Sequence, residues 1–336
     1  MIHEHVELYN VHELLSTAGV QGMSFCRIPN ALRLQLNEAA IRNAVQATGC
    51  EIRFNLADNR GDPPEVRIVL QSTESPSLVE VYQGPFLVSW HVVGLEPTEI
   101  IIAYPERQPM LEMLHRPHSL PFDPQLTRVL LPWRPLALLL SIEGETTLPR
   151  PEQTPRVKML NYGSSITHGS SAIRPSGTWA SRTAQRLGVD LINLGFGGGA
   201  HLEPQIADYI AEREDWHLAT LEMGINLIGH IDAKEFARRV AYFIPTIARA
   251  HPDAWIFCMD LFTCRYDWEE KEKITAFRRI VAEQVAELGL PKLVHLSGAD
   301  LLTSLSGLTA DLVHPSPSGM EEIAQNLAAI IAPRIA

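Results

Sequence analysis

Four short blocks in the second half of the sequence hold residue types that cooperate in acyl chemistry. The first, Gly163-Ser-Ser165-Ile-Thr-His-Gly169, offers a hydroxyl at Ser165; the second, Asn193-Leu-Gly195-Phe-Gly197-Gly198-Gly199-Ala200, clusters glycines. The third, Gly224-Ile225-Asn226, carries a side-chain amide, and the fourth, Asp311-Leu-Val-His314, sets an acid three residues before an imidazole. A serine hydroxyl becomes a nucleophile when an imidazole takes its proton, and an aspartate beside that ring fixes one tautomer and stabilises the imidazolium. Glycine lets backbone N–H groups approach a ligand closely, and two such groups with one amide can hold the oxyanion of a tetrahedral intermediate. Singly, the blocks say little. Ser165 reads first as a turn or helix-cap residue, Asn226 as a cap and the glycines as a structural turn, while Asp-x-x-His is common by chance. The weight lies in their combination.

What must bring them together is a run of alternating strands and helices. Apolar stretches at 157–162, 189–194, 218–223, 254–261 and 293–296 alternate with helical patterns near 177–187, 204–213, 233–250, 268–288 and 316–332. Strands that are apolar on both faces, separated by helices, predict a parallel sheet covered on both sides. Open sheets of this kind carry their sites in the loops beyond the carboxyl ends of the strands, where all four blocks fall. The second block also satisfies Gly-x-Gly-x-x-Ala, a variant dinucleotide fingerprint. His201-Leu-Glu, however, separates it from Pro204, the better first residue of the next helix, which argues against a nucleotide. A Gly-x-Ser-x-Gly elbow is excluded because Thr167 stands two residues after Ser165.

The first half has a different texture. Short runs at 50–56, 65–70, 79–82, 86–93 and 99–104, several alternating apolar and polar residues, predict an antiparallel sandwich whose strands have one wet face. Residues 37–48 lack that pattern and read as a short helix or an extended crossing. Pro149, Pro151 and Pro155 mark a boundary. It divides a jelly-roll-like β-sandwich at 1–150 from an α/β domain at 151–336.

Composition narrows the partners. With 28 Lys and Arg against 39 Asp and Glu the net charge is −11, the wrong sign for nucleic acid. The longest apolar runs, 254–259 and 327–332, are six residues each, far short of the roughly 20 that a membrane span needs. The amino terminus lacks a basic start and apolar core of a secretory leader, so the expected compartment is the cytoplasm, and Cys26, Cys50, Cys258 and Cys264 read as reduced, buried thiols. The pairs His3/His5 and His115/His118 read as solvated histidines at a terminus and in a Pro-rich loop rather than metal ligands. Trp179 and Trp216 read as core; His201 and Glu203 as substrate contacts or a helix start.

In order and content the four blocks resemble those of the SGNH, or GDSL, hydrolase superfamily, over residues 156–332. The resemblance implies a three-layer, flavodoxin-like α/β domain with Ser165 as nucleophile, His314 as base and Asp311 as its orienting acid. It also implies an oxyanion hole from Ser165, Gly198 and Asn226, and needs no metal or cofactor. Three positions depart from the usual pattern: Ser164 where Asp commonly precedes the nucleophile, Gly197 before the second-block glycine, and Leu227 after Asn226. With its sandwich, the chain resembles two-domain members that include carbohydrate acetylesterases and acyltransferases. The expected activity is hydrolysis of a small O-acyl ester, an acetylated carbohydrate or similar metabolite. The alternatives are an O-acyltransferase using the same site, or a binding protein with an inactive hydrolase domain; a homo-oligomer is left open.

Overall fold

The computed structural model describes residues 1–16, 19–57 and 64–335. In the first half, one antiparallel sheet runs Ile2–His3, Val6–Tyr9, Glu51–Leu56, Leu126–Leu130, Ser77–Gln83 and Phe86–Val93, with Thr146–Thr147 also pairing to Glu51–Leu56. A second runs Glu13–Ser16, Met23–Cys26, Ala137–Glu143, Glu65–Ser72 and Thr98–Ala103. Ile52, Phe54, Val79, Val81 and Val129 of the one meet Phe25, Ile68, Leu70, Ile100 and Leu139 of the other in a single apolar core, which makes a β-sandwich.

Alternation predicts one wet face per strand, and Thr98–Ala103 obeys it, burying Ile100 and Ile102 and exposing Glu99 and Ala103. Glu51–Leu56 does not: every residue is buried. Its polar face docks against the second half instead of water. Arg53 makes a two-pronged ion pair with Asp190, 2.7 Å on each arm, and Asn55 exchanges hydrogen bonds with Gln153. Buried charges persist only when paired in this way.

Two other expectations change. His115 and His118 do not lie in a loop, because Gln108–His118 is a helix with Pro109 in its first turn, where an N–H has no partner to lose. Residues 37–48 resolve as the helix Glu38–Asn43, capped by Asn37, whose side chain accepts the Ala40 N–H.

The second half is built on a parallel sheet ordered Asp190–Gly195, Lys158–Gly163, Leu218–Glu222, Trp255–Met259 and Leu293–Leu296. In chain order this is 2-1-3-4-5, the flavodoxin-like arrangement. Pro204–Glu212, Ala233–Ala250 and Lys271–Leu288 cover one face; Trp179–Leu187 and Pro317–Ile335 cover the other. Strand order reverses between the first and third strands, whose carboxyl ends lead to Ser165 and Asn226. The core on the first face continues into the other half of the chain, where Tyr9, Ile28, Leu36, Ala40 and Ala44 join it.

Candidate active site

The strand Lys158–Gly163 ends in a sharp entry to the short helix Ser165–His168, capped by Ser164, whose hydroxyl accepts the Ile166 N–H at 3.1 Å. Beneath this turn lies Glu222, 2% exposed, at the end of the neighbouring strand. Its carboxyl accepts from the Ser164 N–H at 2.8 Å, the Ser164 hydroxyl at 2.7 Å and the Thr167 hydroxyl at 2.7 Å. Burial pushes the Glu222 carboxyl up, against the pull of these donors. The group clamps both ends of the turn that carries Ser165, and Ser164 supplies two of the contacts.

The fourth block folds around its acid. Asp311 Oδ1 accepts the N–H groups of Val313 and His314, at 2.8 and 2.9 Å, and the Thr309 hydroxyl at 2.8 Å. Leu312 between them adopts φ +55°, a left-handed conformation that lets the turn close. The other oxygen, Oδ2, faces His314 Nδ1 at 2.6 Å. Burial would raise the Asp311 carboxyl, but the His314 ring, two backbone N–H groups and the Thr309 hydroxyl hold it well below the usual carboxylate range. An ionised carboxylate only accepts, so Nδ1 carries the proton and a neutral ring presents Nε2 as acceptor. Ser165 Oγ lies 2.8 Å from that nitrogen. Hydroxyl, imidazole and carboxylate thus form one hydrogen-bonded chain.

The glycine block is shaped from across the molecule. Arg27, 1% exposed, donates through Nη1 to the Asn193 carbonyl and through Nη2 to the Gly195 carbonyl, both at 2.8 Å. Asn43 Nδ2 donates to the Gly197 carbonyl at 2.8 Å and Asn37 Nδ2 to the Gly199 carbonyl at 2.9 Å. In a trans peptide the N–H opposes the preceding C=O, so anchoring the Gly197 carbonyl on Asn43 turns the Gly198 N–H the other way. Gly198 has φ +69°, which suits glycine, and a Cβ on Gly199 would meet the Ala40 backbone nitrogen at 2.5 Å. Asn226 is not a cap: its Oδ1 accepts the Ala200 N–H at 3.1 Å, which leaves Nδ2 as the donor that faces outward.

Ser165, Gly198, Asn226 and His314 line one cleft of about 880 Å³ between the two halves, with Asp311 behind the ring. All five residues named by the four blocks therefore meet. Trp179 and Trp216 are buried core, and Leu227 is buried too. Glu203 begins the helix Pro204–Glu212 and bonds Asn37 rather than lining the cleft. Sequence reasoning missed Glu222, Thr309, Arg27 and Asn43. Only Glu222 left a signal, a carboxylate at the end of a strand with no other charge.

A family model described as the GDSL-like Lipase/Acylhydrolase family matches residues 157–332. No curated protein matches the sequence. Among solved structures, the chain is similar to a salicylyl-acyltransferase, SsfX3, from a tetracycline biosynthetic pathway, at 18% identity and TM-score 0.77, over 97% of this chain and 95% of that one. It is also similar to a family two carbohydrate esterase from Clostridium thermocellum, solved with cellohexaose, at 15% identity and TM-score 0.58, over 86% and 93%. An acetyl xylan esterase from Butyrivibrio proteoclasticus aligns at 12% identity and TM-score 0.53, over 85% and 90%. At these identities the likeness is one of fold, and it extends through both halves.

Proposed function

The chain belongs to the GDSL-like Lipase/Acylhydrolase family and is a carboxylic ester hydrolase, and from that premise we propose that Ser165, His314 and Asp311 cleave small O-acyl esters through an acyl-enzyme. The observation that carries this reading is the chain of contacts from Ser165 Oγ to His314 Nε2, at 2.8 Å, and from Nδ1 to Asp311, at 2.6 Å. His314 takes the serine proton as Oγ bonds to the carbonyl carbon. The oxyanion is held by the N–H groups of Ser165 and Gly198 and by Asn226 Nδ2. Protonated His314 then gives its proton to the departing alkoxide, the C–O bond breaks, and an acyl-serine remains. Water, deprotonated by the same ring, attacks the acyl carbon and releases the carboxylic acid and Ser165.

Acetyl esters of carbohydrates or similar metabolites are the proposed substrates. The support is the whole-chain similarity to carbohydrate esterases, together with a wide, partly polar cleft. We also assign the enzyme to the cytoplasm, in keeping with four cysteines that are all free and buried. The test is a panel of aryl esters from acetyl to octanoyl, followed by acetylated sugars, with kcat/KM measured for each and labelling by a serine-directed phosphonate. Ser165→Ala should lose turnover and labelling together; labelling retained elsewhere would overturn the assignment. Repeating the assay with alcohol acceptors and identifying the products separates hydrolysis from acyl transfer.

A further inference from the structure

The cleft has a charge opposite to that of the chain around it. Against an overall balance of 28 basic to 39 acidic residues, four arginines line it among the described residues, Arg33, Arg42, Arg134 and Arg265, beside one carboxylate, Glu74. Three of the four meet acids at the surface: Arg134 with Glu74 at 3.3 Å, Arg42 with Glu38 at 3.8 Å and Arg265 with Glu269 at 3.6 Å. These pairs join well-exposed side chains, contribute little and exchange readily.

Arg33 is held differently. Its Nε donates to Asn30 Oδ1 at 2.8 Å and its Nη1 to the Ile41 carbonyl at 3.2 Å, and among the described residues it has no carboxylate partner. Both anchors are neutral, so the guanidinium is fixed at the cleft wall without being discharged. A planar, permanently charged fork that is already immobilised suits a carboxylate or phosphate. The Asn30 bond belongs to its own short helix and the Ile41 bond reaches the next, so Arg33 sits on the segment that also shapes the glycine block.

We propose that the substrate carries an anion, a carboxylate or a phosphate, outside the reacting ester, and that Arg33 is its principal counter-charge, with Arg134 and Arg265 as secondary contacts. This rests on reading Ser165 as the nucleophile. Recognition of the anion acts on binding and sorts substrates by charge; the chemistry at the ester is unchanged.

The test uses the full chain and matched esters: 3-acetoxybenzoate against its methyl ester, 3-acetoxyphenyl phosphate against phenyl acetate, and mono-4-nitrophenyl glutarate against its methyl ester. Each rate is divided by that of hydroxide-driven hydrolysis. In at least one pair the anionic member should be favoured at least about tenfold in kcat/KM, through KM, and that pair shows whether the anion is carboxylate or phosphate and which half of the ester bears it. The ratio should shrink with added salt in the unmodified protein, approach unity in Arg33→Gln, fall below it in Arg33→Glu and survive in Arg33→Lys. Ratios near unity in every pair, or a ratio indifferent to Arg33→Gln and Arg33→Glu, would overturn the proposal. Calorimetric titration with inorganic phosphate and 3-hydroxybenzoate separates the two readings. Binding lost in Arg33→Glu without turnover of any ester keeps the anion site and overturns Ser165; turnover without binding or charge preference does the reverse.

Discussion

Asn226 separates chemistry from binding most cleanly, because its free amide hydrogens matter only when charge develops on the carbonyl oxygen. Asn226→Ala should lower kcat by about 10²–10³ and leave KM within a few-fold, and a change confined to KM would remove it from the oxyanion hole. The acid limb of the pH profile makes a second check. Asp311 is held ionised well below the usual carboxylate range, so its protonation does not set that limb. kcat/KM should fall about tenfold per pH unit on that limb, with the slope of a single proton. A steeper slope would place a second titrating group in the mechanism. The residues proposed to react stood out in the sequence because three of the four blocks follow closely on apolar strands, while the Asp311/His314 pair stands just before the last helix. Thr309 and the clamping role of Glu222 were not, since a hydroxyl two residues before an acid and a single buried carboxylate acquire meaning only from what they touch.

At the level of elements, the helix Glu38–Asn43 and the loop after Asp190–Gly195 act as one unit. Asn43→Ala removes the donor that holds the Gly197 carbonyl, and with it the constraint on the Gly198 N–H. It should lower kcat by about tenfold with little change in KM, as expected for loss of roughly one hydrogen bond's worth of preorganisation. Gly199→Ala tests the same contact by crowding, since its Cβ would press on the Ala40 backbone. Thermal unfolding should report a destabilisation of about 1–3 kcal/mol. Strand and helix periodicity located the parallel sheet nearly to the residue. It left 37–48 undecided because a six-residue helix gives barely two turns of pattern, and its partner lies some 150 positions away in the chain.

Across the whole molecule the polar face of Glu51–Leu56 is the feature that alternation misreads, because a row of polar residues looks the same whether it meets water or a matching surface. Burial alone would raise the Glu51 carboxyl, but Arg128 and Arg53 beside it outweigh burial and hold it at about 2. The unfolded chain, titrating near the ordinary glutamate value, therefore takes up the proton first as pH falls. This stabilisation is complete above about pH 4.5 and disappears as pH drops toward 2. Urea midpoints measured across that window should fall less steeply for Glu51→Gln than for the unmodified chain, with at most about 1.4 kcal/mol per pH unit removed from the slope. The Arg27 contacts carry a consequence for descent. A lineage that exchanged its sandwich for another module would also lose the contacts from Arg27, Asn37 and Asn43 that hold its glycine loop. In any set of homologues, substitutions at 27, 37 and 43 should track those at 193–199, as in a single ancestral fold rather than two recombined ones.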